Sequence, residues 1–185
     1  MSEGEQTPAV YNWQRDPLFW AYSVLMFLPI VNVLIFYNYY MLDFLVYAGW
    51  FLLLFSIVII FLAGGEFRLK GGAPEGESIV HTTVVVDSGV YAVVRHPQYL
   101  GIMLFILSLV LMSQHWLSLI SGLVGCALLS IDVRREEQNS IRKFGDDYKH
   151  YMQRVPRFNV LLGILRILRM GRGISQEGDS SSTRD

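Results

Sequence analysis

The chain has 185 residues, of which 52% are hydrophobic and 17% charged, with a mean hydropathy of +0.37. Soluble domains carry about 25% charged residues, so lipid is the expected solvent. With 15 Lys and Arg against 16 Asp and Glu the net charge is -1, which excludes a nucleic-acid partner attracted by overall basicity. The single cysteine, Cys126, excludes a disulfide framework and a thiolate metal cluster.

Residues 1–16 are polar, hold Glu3, Glu5 and Asp16, and lack the basic segment of a cleaved signal peptide, so the first apolar run is expected to stay in the mature protein. At 1.5 Å per helical residue, a hydrocarbon core of roughly 30 Å calls for about 20 apolar residues. Two runs qualify, Leu18 to about Tyr37 and Phe44 to Ala63, and Pro29 with Asn32 is expected to kink the first. Gly64, Gly65, Gly71, Gly72, Pro74 and Gly76 follow, then a β-rich run from Thr82 to Val86 and a turn signal at Asp87-Ser88-Gly89, which together suggest a folded loop. A third apolar block, Pro97 to Val133, is too long for one crossing and is interrupted by Ser113-Gln114-His115. It reads as a tight hairpin of two short spans.

Beyond the fourth span, Arg134 to Lys143 continues the helix and Gly145 is placed to stop it in the left-handed conformation. Asp146 can cap a second helix through Arg154, which Pro156 ends. Val160 to Met170 mixes Leu161, Leu162, Ile164, Leu165, Ile167 and Leu168 with Arg166 and Arg169, as an amphipathic helix on the inner leaflet would. Ser175 to Asp185 is a low-complexity polar tail, and no internal repeat is present.

Basic residues set the orientation. Arg15 precedes span one, Arg68, Lys70 and Arg95 lie between spans two and three, and the rest follow span four. An even number of spans puts all of them on the cytoplasmic face, with both termini. The expected fold is therefore an all-α integral membrane protein with about four transmembrane helices and a C-terminal cytosolic helical cap. Its parts are a polar N-terminus over 1–16, a transmembrane region over 17–133 with a cytosolic loop at 64–96, cytosolic helices over 134–172 and a disordered tail over 173–185. Tyr37, Tyr39, Tyr40, Trp50 and Trp116 suit the membrane-water interface.

Two charged clusters fall where these spans meet the cytosol. Arg95-His96-Pro97 opens span three, with proline at the first helical position and His96 near the cap, Tyr99 just inside and Gly101 leaving room for close approach. An open helix N-terminus favours an anion, whether a ligand or a lipid phosphate, and these residues alone leave both possible. Asp132, Arg134, Arg135, Glu136 and Glu137 crowd the exit of span four. Adjacent residues diverge by about 100° around a helix, so only one of Glu136 and Glu137 can face the same pocket as Arg95 and His96. A solvated charge run is the other reading. Tyr148 and Tyr151 share a helix face, and such a pair is more often core than ligand wall. The four histidines, His81, His96, His115 and His150, show no zinc spacing, and neither a GxSxG elbow nor a GxGxxG turn after a strand occurs.

Taken in order, Gly89-Val-Tyr91-Ala-Val-Val-Arg95-His96-Pro97-Gln-Tyr99-Leu-Gly101, a helical hairpin, Arg135-Glu136-Glu137, Phe144-Gly145-Asp146-Asp147-Tyr148-Lys-His-Tyr151 and Val155-Pro156-Arg157-Phe158 resemble the isoprenylcysteine carboxyl methyltransferase and phospholipid methyltransferase family. The resemblance implies an integral membrane methyltransferase that uses S-adenosylmethionine on the cytosolic side, with an acceptor drawn from the bilayer. It implies that Arg95, His96, Tyr99, Glu136, Glu137, Tyr148 and Tyr151 bind the cofactor and that Arg157 and Glu137 serve the reacting groups. A hydrophobic or lipid-linked methyl acceptor is then the partner, with membrane lipid and without nucleic acid or metal. Isoprenylcysteine carboxyl methylation is the nearest reaction. Phospholipid amine N-methylation, a nicotinamide-dependent membrane sterol reductase and a non-enzymatic membrane scaffold are the alternatives.

Overall fold

The computed structural model describes residues 17–71 and 84–169; readings that concern residues 1–16, 72–83 and 170–185 lie outside the described residues. Within the described residues the chain forms helices and no strand. They are α1 (Pro17–Ile35), α2 (Asp43–Lys70), a short α3 (Val90–Val93), α4 (Pro97–Ser113), α5 (Trp116–Phe144), α6 (Asp146–Arg154) and α7, over residues 160–169. The part of the β-rich run that is described, Val84 to Val86, is irregular backbone, with no neighbouring strand among the described residues to pair with it.

Two helices, α2 and α5, are long and apolar enough to cross a membrane, while α1 and α4 are shorter apolar helices. A soluble core helix of this hydropathy would bury its side chains. Instead α2 exposes Tyr47 and Phe51 at 73% and Phe61 at 77%, an arrangement that suits lipid and would be costly in water. The hairpin forms where the sequence breaks. Gln114 takes the left-handed conformation and closes α4, and the His115 side chain caps α5 by accepting from the Leu117 N–H at 3.3 Å.

The four long helices pack with α2 along α4 and α1 against α5 and α4. Small residues allow the close approaches. A Cβ on Gly49 would sit 2.5 Å from Met112 Cγ, and one on Gly101 would sit 2.6 Å from Ile60 Cγ1, so the space left by Gly101 is filled by α2. Pro29 lies buried inside α1, which continues through it as helix.

At the end of the bundle away from the charged clusters, Gln114 ties the two turns together. Its amide donates to Asn38 Oδ1 and to the Leu42 carbonyl, each at 2.9 Å, and its Oε1 accepts from the Leu42 N–H at 3.2 Å. His115 stacks on Phe36 with ring centroids 3.9 Å apart. Tyr37, Tyr39, Tyr40, Trp50 and Trp116 are all exposed around this end, as interface aromatics would be.

Past the apolar stretch, α5 continues as one helix to Phe144, as its sequence suggests. At 29 residues it is about 44 Å long, more than the roughly 30 Å thickness of a bilayer core. Gly145 ends it with φ 59° and ψ -128°, a positive-φ geometry open to glycine and distinct from the left-handed helical conformation expected there. Asp146 does not cap α6: Gly145 occupies the cap position without a side chain, and Asp146 Oδ1 instead accepts from Lys149 Nζ at 2.9 Å. That pairing lowers the pKa of the Asp146 carboxyl below its ordinary value.

Candidate functional site

Helix α4 starts at Pro97 with His96 as its cap residue, and α5 returns antiparallel, so both charged clusters reach one end of the bundle. The rotation of α5 is fixed by a stripe of buried positions: Ser118, Ser121, Gly122, Gly125, Leu129 and Val133 face the bundle, and Glu137 follows Val133 at the next i+4 step. Glu137 is thereby carried inward and is buried at 4%, while its neighbour Glu136 is exposed. Extending that small-residue stripe would have distinguished the two carboxylates from sequence.

Three basic side chains converge on Glu137. Arg95 Nη1 lies 3.0 Å and His96 Nε2 3.3 Å from Glu137 Oε1; Arg157 Nε donates to the same oxygen at 3.0 Å and Arg157 Nη2 to Oε2. Burial alone would raise the Glu137 carboxyl, but hydrogen bonds from His96 and Arg157 and the nearby charges of Arg95 and His96 outweigh it and hold the group down at about 2. Both carboxylate oxygens are engaged. Arg95 is otherwise enclosed, with its side chain 10% exposed and its Nε buried without a hydrogen-bond partner among the described residues.

Arg157 is brought here by a backbone clip that the sequence does not reveal. The Arg95 N–H donates to the Pro156 carbonyl at 2.9 Å and the His96 N–H to the Arg157 carbonyl at 3.4 Å. This lays the segment between α6 and α7 across the entrance of α4. The Phe158 ring then comes within 6.2 Å of His96, and Asn159 caps α7 by accepting from the Leu162 N–H at 3.0 Å.

The remaining site residues divide into two groups. Tyr99 meets His96 edge-on at 5.8 Å and donates to Asp132 Oδ2 at 3.0 Å, with the Glu136 charge nearby. Asp132, which the sequence places in the cluster at the exit of span four without a role, is the hydrogen-bond partner of Tyr99, one helical turn before Glu136. Tyr148 and Tyr151 instead pack with Val155, Val85, Ile141, Phe144 and Met152. The Tyr151 hydroxyl donates to the Tyr91 carbonyl at 2.8 Å, fastening α6 to α3. Burial, aided by the Glu136 and Glu137 charges, pushes the Tyr148 hydroxyl up to about 12; burial likewise raises Tyr151. Arg95, His96, Glu137 and Arg157 thus form one cluster, Tyr99 and Glu136 its flank, and the tyrosine pair an adjoining core. No group of His, Cys, Asp and Glu suited to a metal ion occurs among the described residues.

Residues 44–147 match the phospholipid methyltransferase family, and the chain belongs to that family. The matched region includes Arg95, His96, Tyr99, Glu136 and Glu137 and ends before Tyr148, Tyr151 and Arg157. The chain is also similar to protein-S-isoprenylcysteine O-methyltransferase of Schizosaccharomyces pombe, at 30% identity over 52% of this chain and 45% of the relative. The matched part thus spans less than half the length of that relative. No solved structure matches the chain.

Proposed function

We propose that this chain is an S-adenosylmethionine-dependent methyltransferase for a hydrophobic or lipid-linked acceptor at the cytoplasmic membrane interface, most like isoprenylcysteine carboxyl methylation. The observation that carries this reading is the cluster at the start of α4, in which the buried Arg95 keeps an unpartnered Nε beside the Glu137-bound Arg157. Family membership supports the reaction class. In the same reading the chain has four spans, both termini are cytoplasmic, and residues 134–172 cover the cofactor.

The residues fit such a cofactor. It carries a carboxylate, an ammonium, ribose hydroxyls and a sulfonium, and when bound it supplies an electrophilic methyl group. Arg95 and His96, with the N-terminus of α4 that no side chain caps, offer donors to a carboxylate. Glu136, exposed beside Tyr99, offers acceptor oxygens to an ammonium or to hydroxyls. The Tyr99 ring provides a face for a cation, and Tyr148 and Tyr151 would back the pocket as packed core. Glu137 serves as a positioning residue, since its oxygens hold Arg95, His96 and Arg157 in place. Arg157, with 34% of its side chain exposed, can turn its open side toward an acceptor carboxylate, which needs no general base. An amine acceptor, as in phospholipid N-methylation, would need only to be deprotonated, and the family description keeps this second reading open.

Calorimetry of S-adenosylmethionine binding to the detergent-purified protein tests the reading. Wild type should bind saturably. His96→Ala and Glu136→Gln should each bind about ten-fold or more weakly, the loss of a charge-assisted hydrogen bond worth roughly 1.5–3 kcal/mol. Wild-type affinity in both variants would refute the site assignment. Saturable binding of reduced nicotinamide instead would favour a reductase. Turnover of prenylated cysteine against phosphatidylethanolamine separates the two methyl acceptors.

A further inference from the structure

Helix α7 has almost no protein to pack against. Leu161, Leu162, Ile164, Leu165, Ile167 and Leu168 are all at least 40% exposed, and they cover more than half of the helix circumference, opposite the face that holds Gly163 and Arg166. Its one close seat is Gly163, where a Cβ would overlap the Val93 carbonyl oxygen. Val93 lies four residues before the first residue of α4, so this seat holds α7 at the depth where α4 leaves the bundle for the cytosol. An apolar helix exposed at that depth meets the acyl boundary of a bilayer.

Its charge narrows the occupant. From Arg154 to Arg169 the chain carries Arg154, Arg157, Arg166 and Arg169 and no acidic residue. Arg154 faces Asp87 at 3.5 Å and Arg157 is bound by Glu137. Arg166 spends one donor on the Arg154 carbonyl at 2.7 Å and keeps a buried Nε without a hydrogen-bond partner among the described residues. Arg169 is exposed. An apolar helix bearing cations alone is complementary to an anionic lipid surface, to which basic residues near the headgroups are attracted. We infer that α7 docks onto the anionic headgroups of the membrane that holds the bundle, and that this docking keeps the 155–158 segment, with Arg157, clipped over the Glu137 cluster. The mechanical link is continuous: α7 is capped by Asn159, seated on Val93, and joined through Arg157 and Pro156 to the backbone of His96 and Arg95. Any effect on turnover rests on the methyl-transfer reading above; the docking itself does not.

An environment-sensitive fluorophore at Leu165→Cys, in a Cys126→Ser background, reads the docking in the full-length protein reconstituted into vesicles. Vesicles of phosphatidylcholine alone are compared with vesicles that also contain phosphatidylglycerol. The α7 probe should shift to the blue and lose access to an aqueous quencher when phosphatidylglycerol is present, while a probe at Leu123→Cys on α5 should not change. Arg169→Glu should shift the docked-to-free ratio by five-fold or more toward free, and Arg169→Lys should retain docking. Identical α7 signals in the two compositions would overturn the proposal, as would a signal that follows protein density rather than lipid charge, since that would make a second copy of this chain the occupant. Failure of S-adenosylmethionine binding in vesicles where α7 still docks would count against the methyl-transfer reading alone.

Discussion

Glu137→Gln removes one charge and leaves the side chain's shape unchanged, so it isolates what that carboxylate contributes. In the native cluster Glu137 accepts from Arg157 through both oxygens and lies 3.0 Å from Arg95 Nη1. The glutamine amide would present its own donors to one of those guanidinium groups and leave buried positive charge without a counter-charge. Breaking a buried pair from one side costs roughly 3–5 kcal/mol. Arg95, at 10% side-chain exposure, cannot recover that loss from water, whereas Arg157 at 34% can do so in part. The expected cost of Glu137→Gln is therefore near the lower bound, about 3 kcal/mol, and that of Arg157→Gln about 1–2 kcal/mol. Unfolding in mixed micelles of the wild type, both single variants and the double variant closes the cycle. The two changes should be coupled by roughly 1–2 kcal/mol, because the double variant no longer strands Arg157 against a neutral amide. A coupling below about 0.5 kcal/mol, the usual spread for independent sites, would show that the Arg157 contact adds nothing and that the clip alone positions the 155–158 segment.

Acid should reproduce the same loss. The folded Glu137 carboxyl is held at about 2, below its ordinary 4.5, so its stabilisation is complete above pH 4.5 and fades as pH falls toward 2; the stability gap between wild type and Glu137→Gln should narrow across that window and stay constant from pH 5 to pH 8. Tyr151→Phe removes the hydroxyl that reaches the Tyr91 carbonyl, with an expected loss of about 1–2 kcal/mol and faster amide exchange in α6; unchanged exchange would mean that packing alone holds α6. For topology, cysteines at positions 2 and 180 should resist impermeant labelling from outside sealed cells, and labelling of either would overturn the cytoplasmic placement of the termini.

The hairpin could be read from sequence because the signals that make it are local. Pro97 fixes a helix start, Ser113-Gln114-His115 interrupts an apolar block, and the chain reverses at Gln114. Once α4 and α5 are antiparallel, Arg95 and Glu137 must share one end of the bundle. The choice between Glu136 and Glu137 required more, because it depends on how α5 is rotated about its axis. The positions at 118, 122, 125, 129 and 133 carry that information, but they mix serine and glycine with leucine and valine, so a search for apolar periodicity alone passes over them. The Asn159 cap of α7 was also a local signal, a residue type that favours that position directly before an apolar run.

The clip from Arg95 and His96 to Pro156 and Arg157 leaves no such trace. It joins backbone atoms about sixty residues apart, and backbone hydrogen bonds do not select side-chain types. Its consequence is electrostatic. Without the clip, Glu137 would face Arg95 and His96; with it, two guanidinium groups and an imidazole surround one buried carboxylate, and Arg95 Nε still lacks an acceptor. Such a cluster is short of negative charge, and closing the 155–158 segment increases the shortage instead of relieving it. The group that would complete the cluster is therefore an anion, and Tyr99, edge-on to His96, and the exposed Glu136 lie beside the cluster it would join. Glu136 in turn repels a bare anion and favours a ligand that carries a cation beside its carboxylate. In the proposed methyl-donor reading, the pairing of those two charges at the mouth of α4 would distinguish the site from an interfacial anchor for lipid phosphate, which needs the arginine and histidine but has no use for the second carboxylate.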